Sequence, residues 1–154
     1  MLFRSLAGNF DFKGDVSGAA TALAAFFVTK SGGMELSLYQ KVGLGSGFHG
    51  NNPWLQEMPD PITKATWDNY LCVSIADAKD KYKQGDVVEV KANGISVKVP
   101  VLIQPGQAKG TVSLALGYGR TSAGKCGDGV GKNAYPMATI KDGVYVYEIG
   151  RAHV

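Results

Sequence analysis

Val87-Val-Glu-Val-Lys-Ala-Asn93-Gly94-Ile95-Ser-Val-Lys-Val-Pro-Val-Leu-Ile103 is the stretch on which the fold turns. Two β-branched runs flank an Asn-Gly pair, and Asn and Gly both tolerate the positive φ angles of a type I′ turn, so the segment reads as a β-hairpin. On either side the patterns are also short and mostly of period two. Met34-Glu-Leu-Ser-Leu-Tyr39, Asn69-Tyr-Leu-Cys-Val-Ser-Ile75, Gly110-Thr-Val-Ser-Leu-Ala-Leu116 and Gly143-Val-Tyr-Val-Tyr-Glu-Ile149 read as strands, the last closing or extending the sheet. The Ala-rich run from Asp15 to Lys30, stopped by Ser31-Gly32-Gly33, reads as one helix of real length. Ala76 to Lys83 reads as a short one. Five or six strands with little helix predict a mainly β domain, a small barrel with decorated ends.

Between these elements lie two long glycine-rich segments, Gly43 to Asp60 and Gly117 to Gly131. The chain holds 21 glycines in 154 residues, about twice ordinary usage. Loops of such length in a compact domain are usually functional or disordered. Trp54, Leu55 and Phe48 in the first predict an ordered loop with buried aromatics. One core suffices for a chain of this size, which removes roughly 70% of its unfolded surface from water.

Charge narrows the function classes. Sixteen basic and 13 acidic residues give a net charge of +3, scattered along the chain with no basic run or interleaved aromatics. That argues against a nucleic-acid groove. The longest apolar stretch, Ala19 to Val28, is far short of a membrane span, so the chain itself is expected to be soluble. No secretory h-region follows Met1, and an export signal would have to lie upstream in a longer polypeptide.

The enzymatic motifs that the chain suggests are each incomplete. Gly119 to Lys125 fits GxxxxGK, yet Cys126 stands where a Mg²⁺-binding hydroxyl is needed, and GDGVGKN cannot form the phosphate-holding helix. His49 and His153 lie at no ligand spacing from Cys72 or Cys126, which predicts no zinc or iron–sulfur site within the chain. Cys72 reads as a small buried hydrophobe and Cys126 as a more exposed thiol. No nucleophile elbow is present, and the loop acids Glu57, Asp60 and Asp68 read as turn formers rather than an acid/base pair. No catalytic residue is assigned. Polar density remains: Asn51, Asn52, Gln56, Asp68 and Asn69 around the first loop, Tyr118, Arg120 and Lys132 in the second. Such groups can read a guanine edge, a pterin or a pyrophosphate, or can simply satisfy loop backbone.

Several of these stretches occur together in one known pattern. Asn51-Asn-Pro-Trp-Leu-Gln-Glu-Met-Pro-Asp-Pro61, Thr66-Trp-Asp-Asn69, Gly85-Asp-Val-Val-Glu-Val90 and Val99-Pro-Val101 with Pro105-Gly106 follow in the order of the C-terminal domain of molybdopterin oxidoreductases, which the chain resembles from about Leu36 to Tyr118. Leu38-Tyr-Gln-Lys41 and the run from Gly117 to Pro136 are similar, more narrowly, to the molybdopterin-like iron–sulfur subunits of alternative complex III, a quinol:electron-acceptor oxidoreductase.

The resemblance implies a double-psi β-barrel with its core over about 34–117, a helical segment over 15–30 and an extension over 118–154, all one domain of a longer chain. It implies a scaffold or docking role in the peripheral, periplasmic part of a bacterial inner-membrane respiratory complex. The partners would be its other subunits and the rest of the parent chain, with iron–sulfur clusters elsewhere in that chain. The alternative it implies is a domain that grips molybdopterin guanine dinucleotide. Asn51, Asn52, Trp54, Gln56, Asp68, Asn69, Tyr118 and Arg120 carry over as cofactor-binding residues. Family members often place His, Gln or Ser before the first loop for pterin contacts, whereas this chain has Gly47-Phe48-His49-Gly50. A free-standing small-ligand barrel is the third class.

Overall fold

A computed structural model describes residues 33–141 and 143–154, with Gly18 alone before them, and the backbone only for 148–151. The expected helix over 15–30 lies outside the described residues. The hairpin forms as its sequence predicts. Strand β3 (Val87–Ala92) pairs antiparallel with β4 (Ile95–Ile103), from Val87 opposite Pro100 to Ala92 opposite Ile95. At the turn Asn93 and Gly94 have φ of 50° and 76°, the left-handed pair a type I′ turn requires.

Around the hairpin a mixed, curled sheet is assembled. Its other strands are β1 (Met34–Tyr39), β2 (Leu71–Val73), β5 (Thr111–Ala115) and β8 (Glu148–Ala152), in the order β3-β4-β2-β5-β1-β8. β2 runs parallel to β4, and β5 parallel to β1, while β2 and β5 at the centre are antiparallel. Parallel neighbours cannot be joined by a tight turn. The chain therefore crosses the structure between them: the first long loop lies on the path from β1 to β5, and the second follows β5. At the margins, Lys91 and His153 exchange both backbone hydrogen bonds, at 2.8 and 2.9 Å, so a single bridge ties the end of β8 to β3.

Alternation decides which side chains go inside. Leu36 and Leu38 of β1, Val90 and Ala92 of β3, Val99 and Val101 of β4, and Val112 and Leu114 of β5 share one buried cluster with Leu71 and Val73. Each fully buried Leu or Val contributes about 1.5–3 kcal/mol relative to exposure. β2 is buried at all three positions, which explains why its Leu-Cys-Val reads as a continuous apolar run. Cys72 is buried and free in it, as expected, and Cys126 is exposed and free.

Two differences from the sequence reading have plain causes. The expected strand over 143–149 is divided. Thr139–Lys141 (β6) and Val144–Val146 (β7) form a separate hairpin with Gly143 at φ 78°, and the sheet's sixth strand begins only at Glu148. The period-two pattern runs unbroken through Tyr147 because both pieces are extended. The sheet thus draws on the segment read as an extension beyond 117, which also supplies Ala134 and Met137 to the core.

The short helix is the second difference. It occupies Ile75–Ala78 (α2) and stops because Lys79 turns extended and Asp80 takes φ 64°. Its start is firmly held: Ser74 Oγ accepts from Asp77 N at 3.0 Å and donates to Asp77 Oδ2 at 2.7 Å. Asp77 Oδ2 also accepts from Gly110 N at 2.6 Å, tying α2 to the turn before β5. The Ser74 hydroxyl, then the Gly110 N–H, hold this carboxyl below its usual range. A depressed carboxyl pKa stabilises above the unfolded value of about 3.9 and loses that contribution as pH falls through the folded value. Urea midpoints followed downward from pH 6 should therefore fall more steeply for the native chain below about pH 4 than for Asp77→Asn.

Candidate functional site

The two glycine-rich loops meet above one end of the sheet. The first contains a short helix, Pro53–Glu57 (α1), started by Pro53 and capped by Asn52, whose Oδ1 accepts from Trp54 N at 3.1 Å. The loops touch backbone to backbone: a Cβ on Gly47 would stand 2.6 Å from Gly117 Cα, and Gly117 has φ 92°. No larger residue fits that crossing. Arg120 lies across Gly50, where a Cβ would meet its Nε at 2.6 Å, and Tyr135 donates its hydroxyl to Ser46 O at 2.6 Å.

Asn69 fixes the second loop to the sheet. Fully buried, it donates through Nδ2 to Ala115 O at 3.0 Å and to Lys132 O at 2.8 Å, and accepts through Oδ1 from Lys132 N at 2.8 Å. Beside it, Asp68 Oδ1 accepts from Gly131 N at 2.8 Å. Gln56 is buried and donates to Gly50 O at 3.0 Å.

The eight expected site residues are thus divided. Asn51, Tyr118 and Arg120 come together with Asn133 and Tyr135 in an open polar groove of about 380 Å³. Asn52, Asp68 and Asn69 each hold backbone groups of the loops, and Gln56 belongs to a different cavity. Trp54 and Phe48 were expected to be buried and are instead 81% and 87% exposed. The helix α1 is too short to bury more than one face, and it turns Gln56 inward and Trp54 outward. The groove has the donors and acceptors to meet a purine edge or a phosphate, but it offers a cofactor three of the eight residues, not one continuous cradle.

Sequence reasoning missed a second cavity, of about 250 Å³, under the first loop. Leu44, Leu55, Met58, Pro59 and Trp67 give it apolar walls, and Lys41, Gln56, Asp60, Thr66 and Tyr118 are its polar residues. Lys41 stands just after β1. Its side chain is 5% exposed, its Nζ lies 4.0 Å from the Tyr70 ring centroid and 5.3 Å from that of Tyr118, and Asp60 Oδ2 is 3.8 Å away. Burial pushes the Lys41 amine below its ordinary value, against the opposing pull of Asp60. Burial also favours the protonated form of Asp60. The Thr63 and Ile62 N–H groups outweigh it, with Lys41 adding to them, and hold that carboxyl low. Tyr118 is pushed up to about 12, chiefly by burial. The only sequence signal for Lys41 was its place at the end of the Leu38-Tyr-Gln-Lys41 stretch.

Among the described residues no group of three or more His, Cys, Asp or Glu could hold a metal ion, and no helix is long and apolar enough to cross a membrane. Neither the models of known protein families nor the curated proteins contain a match to the chain.

Proposed function

We propose that the chain is a molybdopterin-binding-like domain that acts as a scaffold and docking module in the peripheral, periplasmic part of a quinol-oxidising respiratory complex of the alternative complex III type. In this reading the curled sheet is a double-psi barrel, for which the two parallel pairs flanking an antiparallel centre are the supporting feature. One observation carries the docking role. The loop that would grip a cofactor turns Asn52 and Gln56 to its own backbone, and it and its flanks turn four large apolar side chains to solvent. Val42, Phe48, Trp54 and Ile62 are 77–88% exposed within 21 residues of chain. Large apolar groups concentrated on one exposed segment mark a surface that another protein covers, and aromatics dominate the energy of such contacts.

Trp54→Ala and Phe48→Ser should leave the unfolding free energy within about 0.5 kcal/mol of the native chain, because neither side chain is buried. Both should weaken association with the remaining subunits at least about tenfold, read by co-purification and by titration of the complex lacking this domain. Unchanged association for both variants would remove the docking reading. The isolated chain is expected to show no dye-linked oxidoreductase turnover.

A second reading, a domain that holds molybdopterin guanine dinucleotide, is favoured by the polar groove. Asn51, Arg120 and Tyr118 would hold the nucleotide end, and redox chemistry would be the cofactor's. Metal and pterin analysis of the full-length native protein separates the two. Molybdenum or tungsten with pterin supports cofactor binding, and iron without either supports the scaffold.

A further inference from the structure

Buried polar atoms are almost always hydrogen-bonded, and a buried donor or acceptor without a partner costs about 1–3 kcal/mol, more when charged. Among the described residues two buried side-chain atoms have no such partner, Lys41 Nζ and Gln56 Oε1, and both residues line the 250 Å³ cavity. One is a donor and the other an acceptor. Both are held in place: Gln56 by its bond to Gly50 O, and Lys41 by the ring of Tyr70 and by that of Tyr118, which also lines the cavity. Asp60 already balances the charge of Lys41. A further anion would therefore meet a pair that is close to neutral.

Size and lining narrow the occupant. A dry cavity of about 150 Å³ takes a benzene ring, so this one has room for a ring and one polar substituent. The walls are largely hydrocarbon. The substituent must offer an oxygen to Lys41 and an N–H to Gln56 while adding no charge. A primary carboxamide does both.

We infer that the cavity beneath the first loop is a binding site for a small neutral aromatic carboxamide, its carbonyl accepting from Lys41 Nζ and its amide N–H donating to Gln56 Oε1. The ring lies among Leu44, Leu55, Met58 and Trp67. This site adjoins the polar groove, with Tyr118 in the lining of both, and stands whether or not the domain docks or holds a nucleotide.

The test compares molecules of nearly equal size on the 154-residue chain, followed by backbone amide shifts. Benzamide offers both groups, acetophenone only the oxygen, benzoate an added charge, and ethylbenzene neither. Benzamide should move the amides of Val42, Gly43, Leu55, Ala65 and Trp67 and saturate at millimolar concentration or below. Acetophenone and benzoate should each bind at least about fivefold more weakly, a ratio typical of one lost hydrogen bond of about 1 kcal/mol. Lys41→Met keeps the volume of the stem and removes one of the two bonds, so it should weaken benzamide at least about fivefold and bring acetophenone, which has only the oxygen, down to the affinity of ethylbenzene.

Lys41→Met takes the ammonium from Asp60 and from the two rings, so its stability should fall, but Asp60 keeps the N–H groups of Ile62 and Thr63 and the variant should still fold. Should it unfold instead, the order of the four molecules on the native chain is the deciding measurement. No shift with benzamide at saturation would mean that water alone meets the two atoms and would overturn the assignment. Equal affinity for all four molecules, or for benzamide with and without the Lys41 amine, would overturn it too.

Discussion

Replacing Asn69 with alanine is expected to lower the unfolding free energy by about 3 kcal/mol. The side chain makes three hydrogen bonds in a fully buried position, and alanine leaves Lys132 N, Lys132 O and Ala115 O without them. A net value near 1 kcal/mol for each bond gives the total, and small domains have only about 5–15 kcal/mol in all. Urea unfolding at neutral pH measures the loss. Asn69→Asp should be at least as damaging. It keeps an acceptor for Lys132 N but turns a carboxylate oxygen toward two carbonyls, and water cannot reach it. The second loop should come away from the sheet in both, which exchange of the Gly119 and Gly131 amides would report independently of global stability. Stability within about 0.5 kcal/mol of native would mean that the loop is held by something other than this side chain.

Leu114→Ala should cost about as much, roughly 2–5 kcal/mol, by a different route. Leu114 is fully buried at the centre of the sheet, opposite Leu71 on antiparallel β2 and beside Leu38 on parallel β1. Truncation removes three carbons from a site bounded by paired strands. The backbone there cannot collapse to refill it, so the cavity term adds to the lost transfer free energy. Val144→Ala, on the outlying β6–β7 hairpin, is the matched control. Its side chain is exposed, and its loss should change the midpoint little. Thermal and urea midpoints for the pair measure the contrast between the sheet and its appendage.

The local patterns of the sheet were legible because its physics is local. Few residue pairs other than Asn93-Gly94 tolerate two positive φ angles in succession, and the alternation in β1, β3 and β5 matches the faces that are buried. The order of the strands was not legible, since the parallel pairs β1/β5 and β2/β4 join segments far apart in sequence, and nothing in either partner names the other. The site divides in the same way. That polar residues would gather in the two loops could be read from composition. Whether Asn69 faces a ligand or a backbone carbonyl depends on where the second loop crosses, and Gly47 and Gly117 decide that by the space they leave. Lys41 was missed for the opposite reason. A lysine after a strand is ordinarily solvated, and only the rings of Tyr70 and Tyr118 closing over it take it out of water.

The bridge between Lys91 and His153 bears on the time course of folding. The hairpin β3–β4 can form from neighbouring residues within microseconds, whereas β8 must find β1 across more than a hundred residues of chain and β3 across about sixty. Until it does, two strands present unpaired N–H and C=O groups to any other molecule nearby. Crowding among partly folded chains is then the competitor of the final closure. Refolding yield should fall with protein concentration much more than the native state's own solubility would suggest.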